Sequence, residues 1–219
     1  MCSDTPQQTR KQFERQVKGI QADALRMGAL VENSCWLAHQ ALFERNLAAA
    51  DRLALQDKQI DQFYRSIEED CLTLIALQSP VAKDLRHIGT LMQLVRDLER
   101  IGDYAEDLGE VAVKLVGYPT PSYLHEAEHM SNLCRAMVSM SLGALTDLDS
   151  ELGLRVKTKD DAVDDHYELL YAILAQQPQD LGPVEPLLLM MLVIRALERM
   201  ADHATNIGKR VAYIITGQR

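Results

Sequence analysis

The sequence predicts an all-α protein built as two tandem three-helix bundles related by internal duplication. Three observations carry that reading. Apolar residues recur every three or four positions over long stretches, without a comparable period-two run, and this is the spacing of helices rather than strands. Prolines stand only at positions 6, 80, 119, 121, 178, 183 and 186, so long segments keep every helical hydrogen bond. Finally, "RDLERIGDYAEDLGEV", beginning at Arg96, returns 99 residues later as "RALERMADHATNIGKR", beginning at Arg195.

Six helices are expected, at 7–46, 50–77, 81–117, 122–148, 151–176 and 184–216. The third shows the pattern best: Leu85, Ile88, Leu91, Met92, Val95, Leu98, Ile101, Ala105, Leu108 and Ala112 form one stripe. Ser79-Pro80 reads as an N-cap followed by a first-turn proline. "VGYPTPS" at 116–122 holds one glycine and two prolines and is the mid-chain linker, dividing 1–118 from 119–219. The run "LLLMMLVI" at 187–194 is too short for a bilayer, which needs about 20 apolar residues, and reads as a buried helix segment. The last helix offers Leu197, Met200, Ala201, Ala204 and Ile207 to a core. The methionines fall at core spacing as gap-fillers, and Trp36 reads as a core or interface anchor. Short connections between long helices imply antiparallel neighbours.

The 219 residues carry a formal charge of −9. That argues against a general nucleic-acid binder, which needs clustered Lys and Arg. Cys2, Cys35, Cys71 and Cys134 lie far apart without a C-x-x-C spacing. This speaks against a disulfide framework or a thiolate zinc site and for a reducing compartment. The polar N-terminus lacks the apolar core of a signal peptide, so a soluble, cytoplasmic protein is expected.

Seven of 17 positions are identical between 96–112 and 195–211, among them Glu99/Glu198, Asp103/Asp202 and Gly109/Gly208. Upstream, "DKQIDQFY" at 57–64 matches "DDAVDDHY" at 160–167, at an offset of 103 instead of 99. The second half is therefore expected to have a loop four residues shorter. Such self-similarity is the mark of duplication.

The repeated positions are acidic. Residues four apart share one helix face, so Asp57 pairs with Asp61 and Glu99 with Asp103. Asp160 pairs with Asp164, and Glu198 with Asp202, while Asp161 and Asp165 offer an equally spaced alternative. Antiparallel packing would bring two pairs together in each half. Four clustered carboxylates repel unless protons or a cation intervene, and hard or borderline metals take such oxygen ligands. The competing reading is a solvated helix face on which Arg96, Arg100, Arg195 and Arg199 pair with the acids. His203 beside Asp202 reads as a ligand or a surface histidine. Glu126 and His129 make a single E-x-x-H, short of the two that a di-iron carboxylate site requires. No Walker loop, G-x-S-x-G or H-E-x-x-H occurs, so these catalytic classes have no motif here.

"LQSPVAKDLRHIGTLMQLVRDLERIGDYAEDLGE" at 77–110 and "IRALERMADHATNIGKRVAYIITGQ" at 194–218 resemble the two signature helices of the PhoU family, regulators of bacterial phosphate uptake. "ALRMGALVENS" at 24–34 and "DKQIDQFYRSIEEDCLTLIALQSPVA" at 57–82 continue the likeness, which runs from about residue 10 to 218. The resemblance implies a cytoplasmic homodimer that is not an enzyme. It implies multinuclear clusters of iron, zinc, manganese or magnesium on the E/D-x-x-x-D motifs. The matching positions are Asp57, Asp61, Glu99, Asp103, Asp160, Asp164, Glu198 and Asp202. It further implies negative regulation of the phosphate-starvation response. The partners would be the ATPase subunit of the phosphate ABC transporter and the phosphate sensor histidine kinase, with contact to membrane complexes only at their periphery and no nucleic acid. Where the family pattern reads D-H-A-x-N, the first copy carries Tyr104 for His and Asp107 for Asn. A structural helical adaptor without metal and a carboxylate-metal hydrolase are the alternatives.

Overall fold

A computed structural model of the chain describes residues 6–177 and 183–218; Cys2 and Pro178 lie outside them. The described residues form seven helices: α1 (Pro6–Phe43), α2 (Leu47–Gln78), α3 (Lys83–Leu115), α4 (Leu124–Asp147), α5 (Ser150–Arg155), α6 (Lys157–Ala175) and α7 (Glu185–Thr216). Helices α1, α2 and α3 pack together, as do α4, α5–α6 and α7. The two bundles are themselves joined, α3 lying along α7 and α1 along α4, so that one continuous apolar core runs through all of the long helices. Among the described residues no helix is long and apolar enough to cross a membrane.

Several expected boundaries shift, each for a local reason. Ser79 belongs to the end of α2 rather than the start of α3. It is left-handed (φ 43°) and its N–H donates to the Ile75 carbonyl, which closes α2. With that donor used and Pro80 supplying none, α3 starts only at Lys83, after Ala82 at φ 48°. Left-handed Arg45 (φ 55°) likewise stops α1 before residue 46. The fifth expected helix is two: Asp149 caps α5 through its Oδ1, which accepts from the N–H groups of Glu151 and Leu152 at 2.9 Å. The chain then tightens to an i−3 bond from Val156 N to Gly153 O, at 3.4 Å, before α6 begins.

The duplication holds in three dimensions. A Cβ placed on Gly109 of α3 would meet Leu53 and Ala50 of α2, whereas one on Gly208 of α7 would meet Gly153 and Val156. Ala50/Gly153 and Leu53/Val156 are the pairs that the offset of 103 sets opposite each other. The expected shorter loop falls in part on residues 178–182, outside the described ones.

Burial follows the stripes with three exceptions. In 187–194 only one face is covered: Leu189, Met190, Val193 and Ile194 are buried, while Leu188 and Leu192 are exposed. Amphipathic packing against one bundle needs no more than that face. Leu85, at the first turn of its stripe, is exposed. Trp36 is 38% exposed rather than in the core, with the Arg135 guanidinium 4.4 Å over its ring. The linker is pinned, Arg45 Nη2 donating at 2.9 Å to both the Tyr118 carbonyl and Thr120 Oγ1. Cys35, Cys71 and Cys134 are free thiols, all buried.

Candidate functional site

Helices α2 and α3 present Asp57, Asp61, Glu99 and Asp103 to one another. Asp103 shows it most clearly: burial first, then repulsion from Glu99, Asp57 and Asp61, pushes its pKa up to about 6. Glu99 is raised by burial and by Asp61 and Asp57, against the pull of Arg100 and Arg96. Asp57 is raised by burial, then by Asp61 and Asp107. Glu106 and Asp107, which the motif reading did not include, are raised as well, Glu106 in part by Asp57. The first site is thus six carboxylates wide. Its cations sit at the rim: Arg65 pairs with Asp61 at 2.6 Å, and Arg100 with Asp103 at 3.2 Å and Glu99 at 3.7 Å. One buried oxygen, Asp57 Oδ1, has no hydrogen-bond partner.

The second site follows the same plan on α6 and α7. Asp164 is raised by burial and by Asp160 and Asp202, and Glu198 by burial and by Asp202 and Asp164. Asp160 is the inward member at 5% exposure, while Asp161, Asp164 and Asp165 are all exposed; of these three, Asp164 is raised in part by Asp202 of α7. Here Asp160 has a partner: Lys157 Nζ lies 2.9 Å from its Oδ2 and 3.0 Å from Asp161 Oδ1. Arg195 holds Glu198 at 2.8 Å.

His203 is not part of the second acidic set. Its Nδ1 lies 2.9 Å from Asp97 Oδ1 on α3. A carboxylate only accepts, so Nδ1 carries the hydrogen. Arg210 Nε donates to the other oxygen of Asp97 at 2.5 Å, and its Nη1 to Gln93. This network joins the bundles across α3 and α7. The motif reading missed Asp97, although a charge at the position between Leu94 and Ile101 on an apolar stripe was a visible signal. Glu126 and His129 acquire a third neighbour in His166, whose ring centroid is 4.7 Å from that of His129 and whose Nδ1 is 3.6 Å from Glu126 Oε2.

Among the described residues, no three His, Cys, Asp or Glu side chains already stand in an arrangement that would hold a metal ion; the acids turn toward their arginines and lysine instead. The donor chemistry of the first site nonetheless fits a cation, because its carboxylates are half-buried, mutually repelling and include the unpartnered Asp57 Oδ1. A match to the PhoU domain model covers residues 24–112 and again 127–211, one for each bundle. The chain belongs to the PhoU family. A phosphate-specific transport system accessory protein PhoU homolog from Synechocystis sp. is 54% identical over 96% of this chain and 94% of its own length. The crystal structure of PhoU from Pseudomonas aeruginosa superposes with a TM-score of 0.88 at 32% identity, over 94% of this chain and 100% of that one. That of the phosphate transport system regulatory protein PhoU from Streptococcus pneumoniae gives 0.86 at 26% identity, covering 94% and 98%.

The raised carboxylates carry a pH dependence. Asp103 ionises at about 6 in the fold against 3.8 as its ordinary value, so the folded state binds its proton the more tightly. Its contribution to stability is full below about pH 4 and is lost as pH rises through 6; the other raised acids act in the same direction. In chelator, melting temperature is expected to fall between about pH 4 and 6, and to fall less steeply in Asp103→Asn. Thermal melts followed by circular dichroism check this, and equal slopes in both proteins would refute it.

Proposed function

We propose that this PhoU protein is a metal-binding, non-enzymatic accessory protein of a phosphate transport system. It acts in the cytoplasm, as a homodimer, to restrain phosphate uptake and the phosphate-starvation response. Its partners on this reading are the ATPase subunit of the phosphate ABC transporter and the sensor histidine kinase. The observation that carries the proposal is a relative named as an accessory protein of phosphate-specific transport, alike over nearly the whole of both chains. In the first site Asp57, Asp61, Glu99 and Asp103 would hold the cation, and in the second Asp160, Asp164, Glu198 and Asp202. A bound cation supplies positive charge between acids that otherwise repel. The chain's own part is to anchor those acids on α2 and α3, or on α6 and α7, so that relief of the repulsion stiffens each helix pair.

A purely structural adaptor is the second reading, favoured by the ion pairs that Arg65, Arg100, Lys157 and Arg195 already make with the acids. Deletion of the gene is expected to raise alkaline phosphatase in phosphate-rich medium. Complementation by wild type should restore repression, with elemental analysis finding metal in wild-type protein and little in Asp103→Ala plus Asp202→Ala. Unchanged phosphatase on deletion would sink the regulatory role, and unchanged metal content would sink the site assignment.

A further inference from the structure

Although the two acidic sites are copies, one matched pair of carboxylates is treated differently. Asp57 and Asp160 are matched by the repeat, and the packing of Gly109 on Ala50 and Leu53, and of Gly208 on Gly153 and Val156, confirms that register. Asp57 Oδ1 is buried without a hydrogen-bond partner. The ion pairs of the first site go instead to Asp61, Glu99 and Asp103. Asp160, with its side chain 7% exposed, has the Lys157 ammonium 2.9 Å away. Lys157 lies three residues before Asp160, and the matching residue before Asp57 is the exposed Ala54, which has no charge to offer. Downstream the asymmetry grows: Glu106 and Asp107 of the first site are Thr205 and Asn206 in the second.

We infer that Lys157 is a built-in counter-ion of the second site, so that a divalent cation fills the first site, around Asp57, before the second. The inference rests on the metal reading above and goes beyond it by making the sites unequal. In both sites arginines must yield the outer acids, Arg65 and Arg100 in the first and Arg195 and Arg199 in the second, but at Asp57 itself a cation displaces no charged group and gives a stranded buried oxygen its partner, which is the costly state to leave unmade. A cation arriving at Asp160 must first displace a hydrogen-bonded ammonium, and charge-assisted hydrogen bonds are the stronger kind. Lys157 is itself half exposed, its side chain 47% accessible, so water takes it up once displaced. The resulting gap in affinity is about fivefold, the equivalent of a single exposed ion pair at its upper value.

Manganese(II) titrated into the chelator-stripped full chain tests this, with free Mn²⁺ counted by electron paramagnetic resonance and heats by calorimetry. Wild type should show two classes of site about fivefold apart. Asp57→Asn should remove the tighter class. Lys157→Leu should tighten the weaker class until the two merge, Lys157→Arg should keep them apart, and Ala54→Lys should weaken the tighter class. Circular dichroism melts confirm that each variant is folded. A single class in wild type, or a weaker class unmoved by Lys157→Leu, overturns the inference and leaves the metal reading standing. Absence of Mn²⁺ binding in every protein overturns both.

Discussion

Asp97→Ala is expected to destabilise the protein by about 3 kcal/mol, the lower end of the cost of stripping one partner from a buried ion pair. Asp97 is 5% exposed and both of its oxygens are taken, one by Arg210 Nε and the other by His203 Nδ1. Its loss leaves a guanidinium at the seam between α3 and α7 without its counter-charge. The Arg210 side chain is 28% exposed and reaches some water in compensation, which holds the cost to the lower end. His203→Ala removes one hydrogen bond and no obligatory charge, so about 1 kcal/mol is expected there. Urea unfolding monitored by circular dichroism reads both, the Asp97 variant shifting the midpoint by about 1 M. Equal midpoints for wild type and Asp97→Ala would show that the seam does not depend on this network.

Gly208→Ala is expected to cost a similar amount, about 3 kcal/mol or a fall in melting temperature of about 10 °C. A Cβ on Gly208 would lie 2.3 Å from the carbonyl oxygen of Gly153. That atom is helix backbone and cannot rotate aside, so α5 as a whole must move away from α7. The matched substitution, Gly109→Ala, meets the Leu53 Cδ1 methyl at 2.6 Å, the end of a side chain that can change rotamer. Alanine also gains about 1 kcal/mol over glycine in a helix interior, which offsets part of that smaller clash. Differential scanning calorimetry of the two variants should find the first clearly lower-melting than the second. Identical melting temperatures would mean that α5 gives way as easily as a leucine side chain.

The contrast between these glycines marks where sequence reading stops. Gly109 and Gly208 are identical in the repeat and look alike on paper. Only the packing separates them, because their partners across the interface, Ala50 with Leu53 and Gly153 with Val156, are set by the tertiary register. His203 gives the same lesson from the other side. Adjacent in sequence to Asp202, it points a hundred degrees around the helix and meets α3 instead, in a network that the first copy lacks, since Tyr104 and Val111 stand where His203 and Arg210 do.

Helix content, the doubled bundle and the four pairs of acids were legible in the chain itself, because periodicity, proline placement and i, i+4 spacing are local properties that survive without knowledge of contacts. The acids' environments were not. Whether a carboxylate is stranded like Asp57 Oδ1, held by a lysine like Asp160, or buried between two bundles like Asp97 depends on which charges and apolar walls surround it. Burial and long-range electrostatics are set by residues distant in sequence, so only the tertiary structure decided them.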